Sequence, residues 1–193
     1  MTRSQSFSLA RLMRARLRAF AEETRGSVTV EAAIMLPLLV WAYTALYSFF
    51  DAYRQTSINH KAAYTISDMI SREAEINDSY LDGAFSMMSF LTRNTTDRKL
   101  RVTYVRYDGD EDEYIVQWSE ARGGATAMAE GEANDMRARL PVMVDEERLI
   151  LVETWASYTA PFRIVNLTNQ VIDTFVFTRP RFGQQVCWDE CGA

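Results

Sequence analysis

Residues 28–50 form a run of 23 positions carrying a single charge, Glu31, near its start. A bilayer core about 30 Å thick needs roughly 20 apolar residues, each adding about 1.5 Å of helix. This run is long enough to span a bilayer, and no other part of the chain is. In front of it lie six arginines (Arg3, Arg11, Arg14, Arg16, Arg18, Arg25) against Glu22 and Glu23, so residues 1–26 carry +4. The remainder holds 15 basic and 24 acidic groups, or −9, which brings the whole chain to −5. An arginine excess before a span holds that side in the cytoplasm. The expected topology is therefore a single pass, with the N-terminus cytoplasmic and more than 140 residues across the membrane.

A cleaved secretory signal fits the N-terminus less well. The apolar run exceeds the roughly 7–15 residues of a secretory signal core, and Asp51-Ala52-Tyr53-Arg54-Gln55 behind it is a poor processing site. Residues 6–21 read as a basic amphipathic helix with Leu9, Leu12, Met13 and Phe20 approximating one face, which suits a leader lying on the membrane surface. The acidic remainder argues against nucleic-acid binding, which wants a basic face.

The edge of the run carries a second signal. Glu31 lies five positions after Gly26, and an acid deep in a bilayer costs on the order of a few kcal/mol. Either Glu31 sits at headgroup level in a first helical turn, where the helix dipole favours an acid, or it has a partner. The segment Arg25-Gly26-Ser27-Val28-Thr29-Val30-Glu31-Ala32-Ala33-Ile34-Met35-Leu36-Pro37-Leu38-Leu39 resembles the N-terminus of TadE-like pseudopilins of the tight-adherence (Tad) pilus system. Those proteins resemble type IV prepilins, with a basic leader, a Gly at the cleavage point, a Glu five residues on and an apolar helix often holding Leu-Pro-Leu-Leu. The resemblance implies a cut between Gly26 and Ser27 by an inner-membrane aspartic prepilin peptidase. It also implies an assembly role for Glu31. Pro37, which lacks an N–H, reads either as a simple kink in the spanning helix or as a weak point that lets the helix adapt when packed in a filament. Many type IV pilins begin with Phe or Met after the cut, whereas this chain would begin with Ser27.

Behind the span the helix is expected to continue to about Ile76, with Ala52, Tyr53, Ala62, Ala63, Ile66, Met69 and Ile70 as an apolar stripe. Asn77-Asp78-Ser79 should end it. A shorter helix should follow over 79–92, with Ser79 as its cap. From Lys99 the period becomes two. Val102 and Tyr104, then Tyr114, Val116 and Trp118, flank an Asp-Gly turn and predict a hairpin. Its acidic tip, 107–113, reads as a solvated turn or a calcium site, although it lacks the spaced 12-residue ligand pattern. Residues 121–131 are Gly/Ala-rich and predict a flexible connection, and 134–140 a short helix stopped by Pro141. Strands are expected over 149–158 and 171–177.

The resulting fold class is α+β. A long N-terminal helix, membrane-spanning in its first half, packs on a small antiparallel sheet, which is pilin-like by resemblance. The organisation is a basic cytoplasmic leader (1–26), a transmembrane helix (27–50) and an outer α+β domain (51–193). Tyr158-Thr159-Ala160-Pro161-Phe162 and Thr178-Arg179-Pro180-Arg181 also resemble the end of TadE-like chains. Arg179-Pro180-Arg181 reads equally as a strand terminator or a partner contact. In an oxidising compartment Cys187 and Cys191, the only cysteines, are expected to be bonded to each other.

No catalytic constellation emerges. There is no H-E-x-x-H, G-x-S-x-G, C-x-x-C or Gly-rich nucleotide loop, and the single histidine, His60, has no ligand partners in step. No metal, cofactor or enzyme activity is expected. Two classes of function remain. One is a minor pilin or pseudopilin of the bacterial inner membrane, which either enters a pilus or stays in the membrane as an assembly factor. By resemblance its partners are other pilin or pseudopilin subunits, inner-membrane pilus assembly proteins, the prepilin peptidase and the lipid bilayer. The other is an uncleaved, single-pass, membrane-anchored periplasmic binding module of a secretion or pilus complex.

Overall fold

The computed structural model describes residues 13, 15, 16, 18, 19, 27–93, 97–162, 170–183 and 185–189. The chain divides into two compact units, Met1–Tyr47 and Ser48–Ala193. Of the expected leader helix, Met13, Ala15, Arg16, Arg18 and Ala19 are helical, and the rest lies outside the described residues.

Helix α1 (Ser27–Ile70) runs for 44 residues with Pro37 inside it. In the first unit its apolar side chains point outward on every side. Val28, Ile34, Leu36, Leu39, Trp41 and Tyr43 are all more than half exposed. A helix that is apolar all round needs an apolar surround. It is the one helix among the described residues long and apolar enough to cross a membrane, by length and composition.

In the second unit α1 becomes one-sided. Ala62, Ala63, Ile66 and Ile70 are buried, while Tyr53, expected on this stripe, is 75% exposed. The helix ends at Ile70 and not near Ile76. The Arg72 and Glu73 amides bond back to the Met69 and Ile70 carbonyls in a tighter turn, freeing the chain to form strand β1 (Glu75–Ile76). Helix α2 (Asp78–Thr92) follows. Its cap is Asn77 and not Ser79. The Asn77 side chain accepts from the Tyr80 amide at 2.9 Å, and the Ser79 hydroxyl donates to that same Asn77 oxygen.

Strands β2 (Arg98–Asp108), β3 (Glu113–Arg122), β4 (Arg148–Tyr158) and β5 (Gln170–Thr178) form an antiparallel sheet in the order β3-β2-β4-β5. The register of β3 on β2 slips between Tyr104–Trp118 and Val105–Val116, leaving Gln117 unmatched. Tyr114, Val116 and Trp118 therefore do not share a face, as simple alternation would have them do. The bulge turns Trp118 to the helix side and Val116 and Tyr114 to the other.

Both faces are consequently covered. On one, Ala62, Ile66 and Ile70 of α1 and Leu81, Ala84 and Met88 of α2 pack on Leu100, Val102, Ile150 and Val152. On the other, Val105, Tyr114, Leu149 and Leu151 pack against Met128, Ala133, Leu140 and Met143. The 121–131 connection is thus placed rather than free: Met128 is buried and its amide donates to the Ser119 hydroxyl. Beyond it lie a single-turn helix α3 (Glu132–Asp135) and a 3-10 turn (Arg137–Arg139), not one helix over 134–140. At Gly123, φ is +72° and a β-carbon would lie 2.0 Å from the Arg98 carbonyl oxygen, so β3 can leave the sheet there only as glycine. Finally β6 (Cys187–Trp188) pairs in parallel with β1, and the Trp118 indole donates to the Val186 carbonyl at 2.8 Å. The observed class is α+β, a long apolar N-terminal helix with a small antiparallel sheet.

Candidate functional site

Gly26, the residue before the expected cut, lies outside the described residues, and Ser27 opens α1. Glu31 sits one turn into that helix. It is exposed and has no ion-pair partner among the described residues. Pro37 lies a further turn and a half along, inside a helix that continues through it. Ser27, Glu31 and Pro37 are therefore spaced along a single helical start in which Glu31 is the one charge, with Thr29 beside it and apolar residues beyond. In such a setting a carboxylate is the one group able to make a strong directional contact.

The second unit carries its own polar anchor just beyond the apolar run. The Tyr158 hydroxyl donates to the Asp51 carboxylate at 3.0 Å, tying the end of β4 to α1. Asp51, Gln55 and Asn59, with Thr92, Arg93 and Tyr158, line a polar recess of about 290 Å³. A larger cleft of about 520 Å³ opens on the opposite sheet face, where Lys99, Trp155 and Ser157 meet the 124–126 segment. Arg101 holds that segment in place. Its guanidinium pairs with the buried Glu153 at 2.6 Å, lies 5.5 Å from the Trp155 ring centre and donates to the Thr126 carbonyl at 3.4 Å.

Three carboxylates at or beside the acidic hairpin tip are engaged locally. Asp108 accepts from the Asp110 and Glu111 amides, Asp145 from the Gly109 amide, and Asp112 from the Tyr107 hydroxyl and Arg137. The Tyr107 hydroxyl, and next to it the Arg137 guanidinium, hold the Asp112 carboxyl below the usual carboxylate range. Among the described residues no group of three or more His, Cys, Asp or Glu side chains is placed to hold a metal ion. His60 is exposed on α1.

Arg179 pairs with Glu147, and Arg181 with Asp68 at 3.1 Å, while the Arg181 amide donates to the Ser71 carbonyl. The Arg-Pro-Arg segment therefore closes the end of β5 back onto the end of α1. Sequence reasoning left that contact open, since charge spacing along a chain does not say which distant acid it meets. Cys187 is disulfide-bonded, and Cys191, the only other cysteine in the chain, lies outside the described residues. Burial lifts the Tyr104 phenol above its ordinary range, with the Val186 backbone and then Arg148 opposing, and Tyr104, Trp118 and Trp188 form a run of ring contacts at 5.8 and 5.6 Å. No family model, curated protein or solved structure matches the chain.

Proposed function

We propose that this chain is a minor pilin or pseudopilin of a Tad-type pilus, cut between Gly26 and Ser27 and acting by helix packing and protein contacts rather than chemistry. The observation that carries the reading is one of spacing. A Glu five residues after a Gly, followed by a Leu-Pro-Leu-Leu run, lies in the start of a 44-residue helix whose first part exposes apolar side chains on all sides. In this reading the protein starts as a single-pass inner-membrane protein with a cytoplasmic leader and a periplasmic α+β domain. The two cysteines pair with each other there. Helices of neighbouring subunits bundle through their apolar sides, and Glu31 of one subunit meets the new N-terminal amine of another, neutralising a charge that would otherwise be unpaired in an apolar surround.

Gly at the position before the cut leaves the scissile bond unobstructed and free in its dihedrals. Co-expression with an active prepilin peptidase, followed by gel shift and N-terminal sequencing, tests the reading. Wild type is expected to begin at Ser27, Gly26→Val to keep its leader, and Glu31→Ala to be cut but to fail in assembly. A wild-type N-terminus at Met1 or Thr2 beside an active cognate peptidase overturns it in favour of an uncleaved anchored binding module.

A further inference from the structure

The polar recess of the second unit opens where the apolar run gives way to charge. Residues 28–50 carry no charge but Glu31, and Asp51 follows Phe50 directly on the same helix. At about 1.5 Å per residue the run covers roughly 34 Å, slightly more than a hydrocarbon core of about 30 Å. When the run spans a bilayer, Asp51 therefore falls in the headgroup layer. Gln55 and Asn59 follow it about one and two turns further along α1. Tyr53 between them is exposed, as aromatic residues at a membrane interface are. With Arg93, Tyr158 and Thr159, these three residues line the recess of about 290 Å³. Arg93 and Thr159 are exposed, so the recess is open to what surrounds it.

The recess carries one charge of each sign, and neither is in an ion pair among the described residues. One Asp51 oxygen accepts the Tyr158 hydroxyl at 3.0 Å, which leaves the carboxylate with lone pairs to spare. Arg93 closes α2, and Phe90, three positions before it, is 81% exposed. An arginine beside an exposed apolar ring, at the depth of Asp51, suits a membrane interface. We propose that this recess binds the headgroup of a phosphoethanolamine lipid, its phosphate on Arg93 and its primary ammonium on Asp51. A phosphate alone would satisfy Arg93 and leave Asp51 facing an anion, and an ammonium alone would do the reverse. A headgroup that carries both, joined by a short link, answers both charges. Its ammonium has three N–H donors, for which Gln55 and Asn59 supply further amide acceptors. Its acyl chains then run beside Phe50, which is 67% exposed. A soluble ligand would have to reach Asp51 through the headgroup layer, whereas a lipid is already there. The inference rests on residues 28–50 spanning a bilayer, and not on cleavage at Gly26 or entry into a pilus.

The test uses the full chain in detergent with phosphatidylethanolamine, phosphatidylcholine or phosphatidylglycerol of one acyl composition added, and native mass spectrometry to read the lipid-bound fraction. Wild type is expected to bind phosphatidylethanolamine about tenfold more tightly than either of the others, since choline has no N–H to give and glycerol no cation. Asp51→Asn should bring phosphatidylethanolamine down to the phosphatidylcholine level. Arg93→Gln should weaken both by about tenfold and keep the preference between them, because only the phosphate contact is lost. Circular dichroism checks that each variant is folded. Glycerophosphoethanolamine, the same headgroup without acyl chains, should bind more weakly than the lipid. Equal binding of the three lipids, an Asp51→Asn chain that keeps the preference, an Arg93→Gln chain that binds as wild type does, or acyl-free headgroup binding as tightly as the lipid overturns the proposal and leaves the span standing. Release of the chain from membranes by alkaline carbonate overturns the span, and with it both this proposal and the proposed function.

Discussion

Removing the Arg101 guanidinium tests how the sheet's second face is held. Glu153 is only 5% exposed at its side chain, and its Oε2 lies 2.6 Å from Arg101 Nε. Arg101 keeps more access to water, at 16%, and has a second acid, Glu132, at 3.7 Å. The two halves of the pair are therefore unequal. Arg101→Met strands a buried carboxylate, which costs about 3–5 kcal/mol. It also loses a cation–π contact with Trp155 of about 0.5–1 kcal/mol. Glu153→Met leaves a cation that still reaches water and Glu132, so its cost is smaller, about 1–3 kcal/mol. Arg101→Met with Glu153→Met leaves no stranded charge and should lie within about 1.5 kcal/mol of wild type. With a urea slope of about 2 kcal/mol/M, the first change lowers the unfolding midpoint by about 2 M and the pair by less than about 1 M. Urea titration of the full chain in detergent, followed by tryptophan fluorescence, reads all three. Additive single and double changes would refute the reasoning, since they would mean that the two side chains do not depend on each other.

Three further outcomes follow from the same geometry. Asn77→Ala should cost about 1 kcal/mol and lower the thermal midpoint, because it deletes the acceptor for the Tyr80 amide at the start of α2. Gly123→Ala should cost more than about 1 kcal/mol, because the positive φ and the Arg98 carbonyl both oppose a β-carbon; a variant melting at the wild-type temperature would contradict this. Asp112 is held below the usual carboxylate range by Tyr107 and Arg137, so the folded form binds fewer protons there. Its contribution is full above the unfolded value of about 4 and is lost as pH falls through the lower folded value, so Asp112→Asn should flatten the acid limb of the stability–pH curve.

How much of this was legible depends on whether a local pattern or a distant partner decides. The start of α1 was readable because 23 nearly uncharged residues leave few alternatives. Its end was not, because Ser71, Arg72 and Glu73 carry no Gly or Pro, and the strand that follows exists only through its pairing with Cys187 and Trp188. The hairpin was readable from period-two alternation about Asp108-Gly109, but the bulge at Gln117 hid which face Trp118 takes. The cover of the second sheet face was missed altogether. Met128, Ala133, Leu140 and Met143 follow no period, and they are core only because the chain over 123–147 folds back on Leu149 and Leu151. One signal could have found it. Leu149 to Val152 is apolar at four successive positions, which a strand with one solvated face would not be. At the N-terminal site, the Gly26, Glu31 and Pro37 spacing is a property of sequence, and nothing in the fold was needed to see it.

The two parts of the proposed assembly do different physical work. Lipid tails are as apolar as the side chains of residues 28–50, so burying those side chains against another helix gains little hydrophobic free energy over leaving them in lipid. Packing of the spans alone can hold subunits together but discriminates poorly between one apolar helix and another. Discrimination then has to come from polar contacts, and the apolar run offers one charged group, Glu31, whose pairing with a free amine would be available to any processed subunit. In the proposed assembly, choice of partner would then fall to surfaces outside the apolar run. A change at Glu31 should then weaken assembly with every partner alike.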